Sequence, residues 1–271
     1  MMFRVLIAVL VAGLFMNAPS KALAQEPVMN IVKKMKEAFE PVRPSTRKIE
    51  ISMTAEGETI KWDAREAMKQ FPDGKRMVLV MLGPNEVKGN AYVTWEPKGK
   101  PSVIWTYMPA LRRVRELTGV EAYEHFLGTN FTYADLGFVR FHPDYRLLGE
   151  EDHMGKLTYK IEEVVPKERA YYSRVIIWVS EDSMLPVERD YYDVDGNLWK
   201  TELFEEETID NVPTPIHIQM KDLQDKSTTE IRVSDVVYDV TVPDALFDPM
   251  QLPVAASSPV WQSVAQGTMS Q

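Results

Sequence analysis

The chain has no cysteine and only four histidines, and both scarcities narrow its possible chemistry. Without thiols it can form no disulfide, thiolate nucleophile or cysteine-held metal centre. His125, His142, His153 and His217 are scattered without metal-ligand spacing, and no HExxH, GxSxG or phosphate-loop pattern occurs. Asp152-His153 and His142-Pro-Asp144 each set an acid beside a histidine, but in polar, turn-like stretches that argue poorly for catalysis. No apolar run reaches the roughly 18 to 20 residues that a membrane-spanning helix needs. With no catalytic constellation, metal site or cofactor fingerprint, the expectation is a protein that is not an enzyme.

What the N-terminus does have is a secretory pattern. Arg4 precedes an uncharged apolar run of 12 residues, Val5 to Met16, and Ala22-Leu23-Ala24 supplies a small-x-small cleavage site. The expectation is a signal peptide over residues 1–24, cleavage before Gln25, and a soluble periplasmic protein that touches membranes only transiently. Loss of Arg4 and Lys21 leaves 29 basic residues against 40 acidic ones, a formal charge of −11. That balance argues against nucleic acid and against adhesion to anionic membrane surfaces, but not against a lipid held inside.

Residues 25–252 read as a single domain. Val28, Ile31, Val32, Met35 and Phe39 recur at helical spacing with lysines opposite, and Pro41 and Pro44 stop the pattern. Beyond them the period changes to two, as in Ile49, Ile51 and Met53 against Lys48, Glu50 and Ser52. Strand-like segments then follow one another to Val237, separated by turns such as Pro72-Asp-Gly74, Glu96-Pro-Lys-Gly99 and Asp195-Gly-Asn197. Such a chain is mainly β, with one large antiparallel sheet. Met77–Leu82, Val103–Trp105 and Val175–Trp178 are apolar on both faces and need cover on both, which a curled sheet with an amphipathic helix and a lid would give. The lid candidates are the N-terminal helix and Val120–Phe138. The tail 253–271 carries no charge and is expected to be disordered, although Trp261 could dock.

Two groups of residues are the candidate site. Trp62, Leu79, Met81, Trp95, Trp105, Tyr107, Phe126, Phe131, Tyr133 and Trp178 are candidates for an apolar cavity or its lid, alongside 15 methionines suited to lining one. Ordinary core packing accounts for them equally well, and a one-residue slip in strand register would exchange half the set. Arg112, Arg113 and Arg115 follow Pro109-Ala-Leu111 and could latch a lid through Asp135, Glu116 or Glu121, contact an anionic headgroup, or form a solvated turn. Glu162-Glu163 and Glu205-Glu-Glu207 read as solvated strand faces.

GNAYVTW (89–95), WTYMPALRRVREL (105–117), GTNFTYADL (128–136), YRLLGEE (145–151), LPVERDYYDVDGNLWKT (185–201) and PDALFD (243–248) together resemble the LolA-like outer-membrane lipoprotein-sorting proteins. The resemblance runs from about Glu66 to Leu252. It implies a half-open antiparallel β-barrel of about eleven strands, closed by helices over an apolar cavity. It also implies a carrier of lipid or acylated lipoprotein toward the outer membrane, working beside an inner-membrane exporter of the RND type, with no cofactor. Asn130 and Ala134 stand where the family's motif often carries acids, leaving Asp135 as the acid there. A second function is compatible with the same fold: an envelope signalling or scaffold module that binds a protein partner.

Overall fold

The computed structural model describes residues 28–118, 121, 123–138, 144–165, 172–259 and 261. The expected signal peptide lies outside the described residues, as does His142. Helix α1 (Val28–Phe39) has the bounds its periodicity predicts, and it buries Ile31, Val32 and Met35. The sheet follows as β1 (Ser45–Ala55), β2 (Glu58–Phe71), β3 (Gly74–Gly83), β4 (Ala91–Pro97), β5 (Val103–Met108) and β6 (Arg113–Leu117). After the segment 123–138 come β7 (Asp144–His153), β8 (Lys156–Val164), β9 (Arg174–Ser180), β10 (Pro186–Tyr192), β11 (Leu198–Ile209), β12 (Val212–Asp222) and β13 (Ser227–Tyr238).

All these strands join one antiparallel sheet of 13, in the order β6-β5-β4-β3-β2-β1-β13-β12-β11-β10-β9-β8-β7. The first and last hairpin series meet where β1 pairs with β13, Ile51 opposite Ile231. The sheet does not close, because β6 and β7 are free edges, so the expected half-open form holds with two strands more than the resemblance implies. β6 is the unexpected strand: the arginine segment is not only a turn but also a sheet edge, with Arg113 opposite Met108 and Arg115 opposite Thr106.

The two faces of the sheet are both covered, which is why several strands lack alternation. On the inner face Ile49, Trp62, Ala64, Leu79, Met81, Tyr92, Ile104, Ile161, Ile177, Met220 and Ile231 pack with α1 and with Phe126, Phe131, Tyr133 and Phe138. On the outer face Ala67, Val78, Val80, Ala91 and Val93 pack under Val242, Leu246, Phe247, Leu252, Ala255 and Trp261. The tail expectation is therefore corrected for its described part. Leu252–Ala255 forms a short helix α2, and buried Trp261 donates from Nε1 to the Ala255 carbonyl at 2.7 Å. Among the described residues no helix is long and apolar enough to cross a membrane.

Candidate functional site

The segment 123–138 covers the inner face and is built from aromatic and short polar side chains. Phe126 donates its N–H to the Phe131 carbonyl at 2.8 Å, and the Thr129 hydroxyl returns to the Phe126 carbonyl at 2.7 Å. Thr132 and Asp135 bond reciprocally: the Thr132 N–H reaches Asp135 Oδ2 at 2.8 Å, and the Asp135 N–H reaches Thr132 Oγ1 at 3.1 Å. The turn folded this way presents Phe126, Tyr133 and Phe138 to Tyr92 of β4, with ring centroids 5.3, 6.0 and 6.1 Å from it. This aromatic knot binds the lid through non-directional burial, supplemented by edge-to-face ring contacts.

A polar anchor does the same job at the lid's other side. Asn130 donates its N–H to Thr229 Oγ1 at 3.0 Å and accepts from Ser227 Oγ on Oδ1 at 2.9 Å. Its carbonyl accepts from Lys200 Nζ at 2.7 Å. Lys200 is fully buried, and its ammonium sits 4.6 Å from the Trp199 ring centroid. Burial lowers the Lys200 ammonium below the ordinary lysine value, opposed by Asp135, Asp222, Asp225 and Glu202. A buried charge of this kind persists only where partners satisfy it, and here the partner is lid backbone.

Between lid, α1 and sheet lie two adjoining cavities. One, of about 1070 Å³ counting its open mouth, lies under α1 and is walled by Phe39, Tyr123, Tyr145, Tyr172, Tyr191, Val175 and Ile177, with Lys36, Asp135, Glu163 and Arg189 among them. The other, of about 720 Å³, is walled by Ile49, Ile51, Leu79, Phe126, Phe131, Phe138, Ile218 and Ile231, with Arg47, Glu66 and Glu202. Phe39, Asp135 and Leu136 line both. The charged groups are paired: Arg47 with Glu66 at 3.0 Å, and Arg189 with Glu202 at 3.3 Å. The Tyr191 hydroxyl donates to Glu202 at 2.5 Å. Burial pushes the Glu202 carboxyl up, against Arg189 and Tyr191, which favour its ionised form. Burial opposes the Arg189 charge, yet Glu202, Tyr191 and Glu163 together hold it above its ordinary value.

The predicted cavity residues divide between the faces. Trp62, Leu79, Met81, Phe126, Phe131 and Tyr133 all belong to the inner cluster. Trp105 and Tyr107 instead pack into the outer cluster, and Trp95 lies on the same outer side, stacked on Trp105 at 6.4 Å. Trp178 is also turned outward; it stacks on His153 at 4.4 Å and donates from Nε1 to Glu151 at 2.7 Å. Ile104 and Ile177, the residues before Trp105 and Trp178, face inward instead, as does Tyr92, three residues before Trp95. The correction is a one-residue phase error in strands covered on both sides.

The predicted latch divides as well. Arg115 pairs with Glu121, whose Oε2 also accepts from the Thr118 N–H at 2.9 Å. That N–H, and then Arg115, holds the Glu121 carboxyl below its usual range. Arg112 and Arg113 are exposed. Asp135 bonds to Thr132 and to the Tyr172 hydroxyl at 2.9 Å, not to the arginines. The lid is thus tied down by Lys200, Ser227, Thr229 and Tyr172, none of which the sequence singled out. Glu163 is likewise not on a solvated face but in the cavity wall, whereas Glu162 pairs with Arg146 at 3.1 Å. His153 Nε2 lies 2.6 Å from Glu188, on the outer face. No cluster of three metal-ligating side chains occurs among the described residues.

An open, lidded antiparallel sheet over apolar cavities defines a class, and comparison with known proteins places the chain in it. A DUF1329 family protein from Desulfovibrio piger is 26% identical, with 82% of this chain and 96% of that one covered at a TM-score of 0.74. An outer membrane lipoprotein-sorting protein domain from Vibrio parahaemolyticus has the same fold at 21% identity, a TM-score of 0.75, and coverage of 83% and 97%. A LolA superfamily protein from Nitrosomonas europaea has it at 21% identity, 0.63, and 81% and 96%. No curated protein matches the sequence. A family described as "Uncharacterized protein" matches residues 73–253, about two thirds of the chain. The chain belongs to this family, and its fold is that of the DUF1329 protein and of the LolA-like lipoprotein-sorting proteins it resembles.

Proposed function

We propose that the protein is a periplasmic carrier that shelters the acyl chains of a lipid or lipoprotein between the lid and the inner face of the sheet. The observation that supports this best is the pair of adjoining, mostly apolar cavities between the lid and the inner face of the sheet. Transfer of a chain into such a space is favourable by about 0.8 kcal/mol per buried methylene. A scaffold module that binds protein partners on its surface has no need of an interior left unfilled, so the cavities favour the carrier. Of the predicted residues, Leu79, Phe126 and Phe131 line the second cavity and are the chain-contacting ones in this reading, while Trp62, Met81 and Tyr133 belong to the packing around it. Release requires the lid to open, and its anchor of a few hydrogen bonds around Asn130 is of a strength that a docking partner can shift. An inner-membrane exporter of the RND type is the partner in view. The test is native mass spectrometry of protein purified from periplasm without detergent, followed by solvent extraction. A discrete bound mass matching an extracted lipid is expected. Ligand-free protein that also refuses added lipids would defeat the reading.

A further inference from the structure

The donors in the cleft under α1 are turned toward the protein's own acids, and what is left over is capacity to accept. The Tyr172 hydroxyl donates to Asp135 Oδ2 at 2.9 Å, Tyr191 donates to Glu202 at 2.5 Å, and Tyr145 is hydrogen-bonded to Glu163. Arg189 gives Nη1 to Glu202 and lies over the rings of Phe39 and Phe204, at 5.6 and 5.0 Å. Lys36 holds its ammonium 5.6 Å over the Tyr145 ring. Both cations of the wall are therefore committed. Against them, both hydrogen bonds to the Asp135 carboxylate fall on Oδ2, and Oδ1 has no partner among the described residues. Glu163 retains acceptor sites beyond its tyrosine bond, since a carboxylate offers about four. The remaining wall is aromatic and aliphatic, with Phe39, Tyr123, Tyr145, Tyr172 and Tyr191 beside Met35, Val165, Val175 and Ile177, and its further acid, Glu40, is paired with Lys75.

Electron-rich ring faces, tyrosine oxygens already used as donors and two carboxyl groups with spare acceptors suit a cation that carries its own N–H donors. We propose that this cleft is a headgroup site for a primary ammonium, the polar end of an amphiphile whose chain enters the neighbouring cavity past Phe39 and Leu136. The proposal rests on the carrier reading and adds to it the headgroup class. It gives Glu163 a role: burial pushes its carboxyl up despite Arg189 and Lys36, and a ligand ammonium beside it restores the ionised form. An anionic headgroup would instead have to compete with Glu202 for Arg189 while lying against Asp135 and Glu163.

The experiment is competition, by native mass spectrometry, between lysophosphatidylethanolamine and lysophosphatidylglycerol of the same acyl chain on the delipidated mature protein. The two share the acyl chain and the phosphodiester and differ in its alcohol: ethanolamine carries an ammonium where glycerol carries two hydroxyls. A charge-assisted contact predicts a preference of roughly tenfold or more for the ethanolamine lipid. Glu163→Gln is expected to reduce that preference to roughly twofold. Equal binding, a preference for the glycerol lipid, or an undiminished preference in folded Glu163→Gln would overturn the headgroup site and leave the carrier standing. Binding of neither lipid would overturn both. If the variant fails to fold, the wild-type competition decides alone.

Discussion

Asp190 shows how far a single side chain in this sheet departs from its ordinary chemistry. It lies beside Glu188 on the outer face of β10, with Oδ1 buried and unpaired, and its carboxyl is pushed up to about 6, first by burial and then by Glu188. Between its ordinary value of 3.8 and about 6 the folded protein binds the proton more tightly than the unfolded chain does. Stability from this residue is therefore present at low pH and lost as pH rises through that window. Asp190→Asn removes the ionisation. Because the group is only half-buried, solvent screening reduces the expected gain at pH 7.5 to about 1 kcal/mol. That gain should vanish near pH 4, and thermal melts at the two pH values would show it. A difference independent of pH would mean that packing, not ionisation, controls the site. Lys200 is the opposite case, a lysine whose charge burial disfavours and Asp135, Asp222, Asp225 and Glu202 favour, and its Nζ donates to the Asn130 carbonyl of the lid.

At the scale of elements, backbone geometry decides more than side-chain chemistry does. Gly74 opens β3 with φ +151°, and a Cβ there would stand 2.2 Å from the Glu96 carbonyl and 2.8 Å from Pro97 Cα. Those atoms are main chain of β4 and cannot move aside cheaply. Gly74→Ala is expected to cost about 2 to 4 kcal/mol, read as a lowered urea midpoint at an unchanged denaturant slope. A loss below about 0.5 kcal/mol, the level of ordinary surface substitutions, would show that β3 can shift. The same contrast explains what could be read in advance. Helix α1 was legible to the residue because Lys33 and Lys34 face water and its apolar stripe does not. The hairpins were legible from their turns. The phase of β4 and β5 was not, because the C-terminal segment covers their outer face and removes the alternation that would mark inside from outside. In β9 the outward Trp178 is covered instead by His153 and Lys160. In β11, Lys200, Glu202 and Phe204 are buried while Thr201 and Leu203 between them are only partly so, and polarity alone indicates the wrong face. β6 was hidden for a simpler reason: a free edge tolerates charge, and Arg113, Arg115 and Glu116 look like a turn.

The whole molecule is an open sheet with a lid over its inner face, and among the described residues β6 and β7 are its free edges. The lid spans Tyr123–Phe138 and is fixed at both ends of its cover, by the aromatic knot on Tyr92 and by Asn130 on β11 and β13. If loading requires this cover to lift, joining lid to sheet must stop it. The absence of cysteine makes the experiment clean, since introduced thiols have no competitors. Asn130 Oδ1 and Ser227 Oγ are 2.9 Å apart, so Asn130→Cys with Ser227→Cys sets two thiols within reach of a short cross-linker. Before cross-linking, loss of the anchor should speed uptake of a fluorescent fatty acid. After it, uptake should slow by roughly tenfold or more, and preloaded ligand should be retained, as gating by a lid demands. Uptake that survives cross-linking would move the entrance to the free edges, where β7 presents alternating exposed residues and, among the described residues, no strand pairs beyond it. The lid would then be a fixed wall, and separation of β6 from β7 would be the motion that loads the protein.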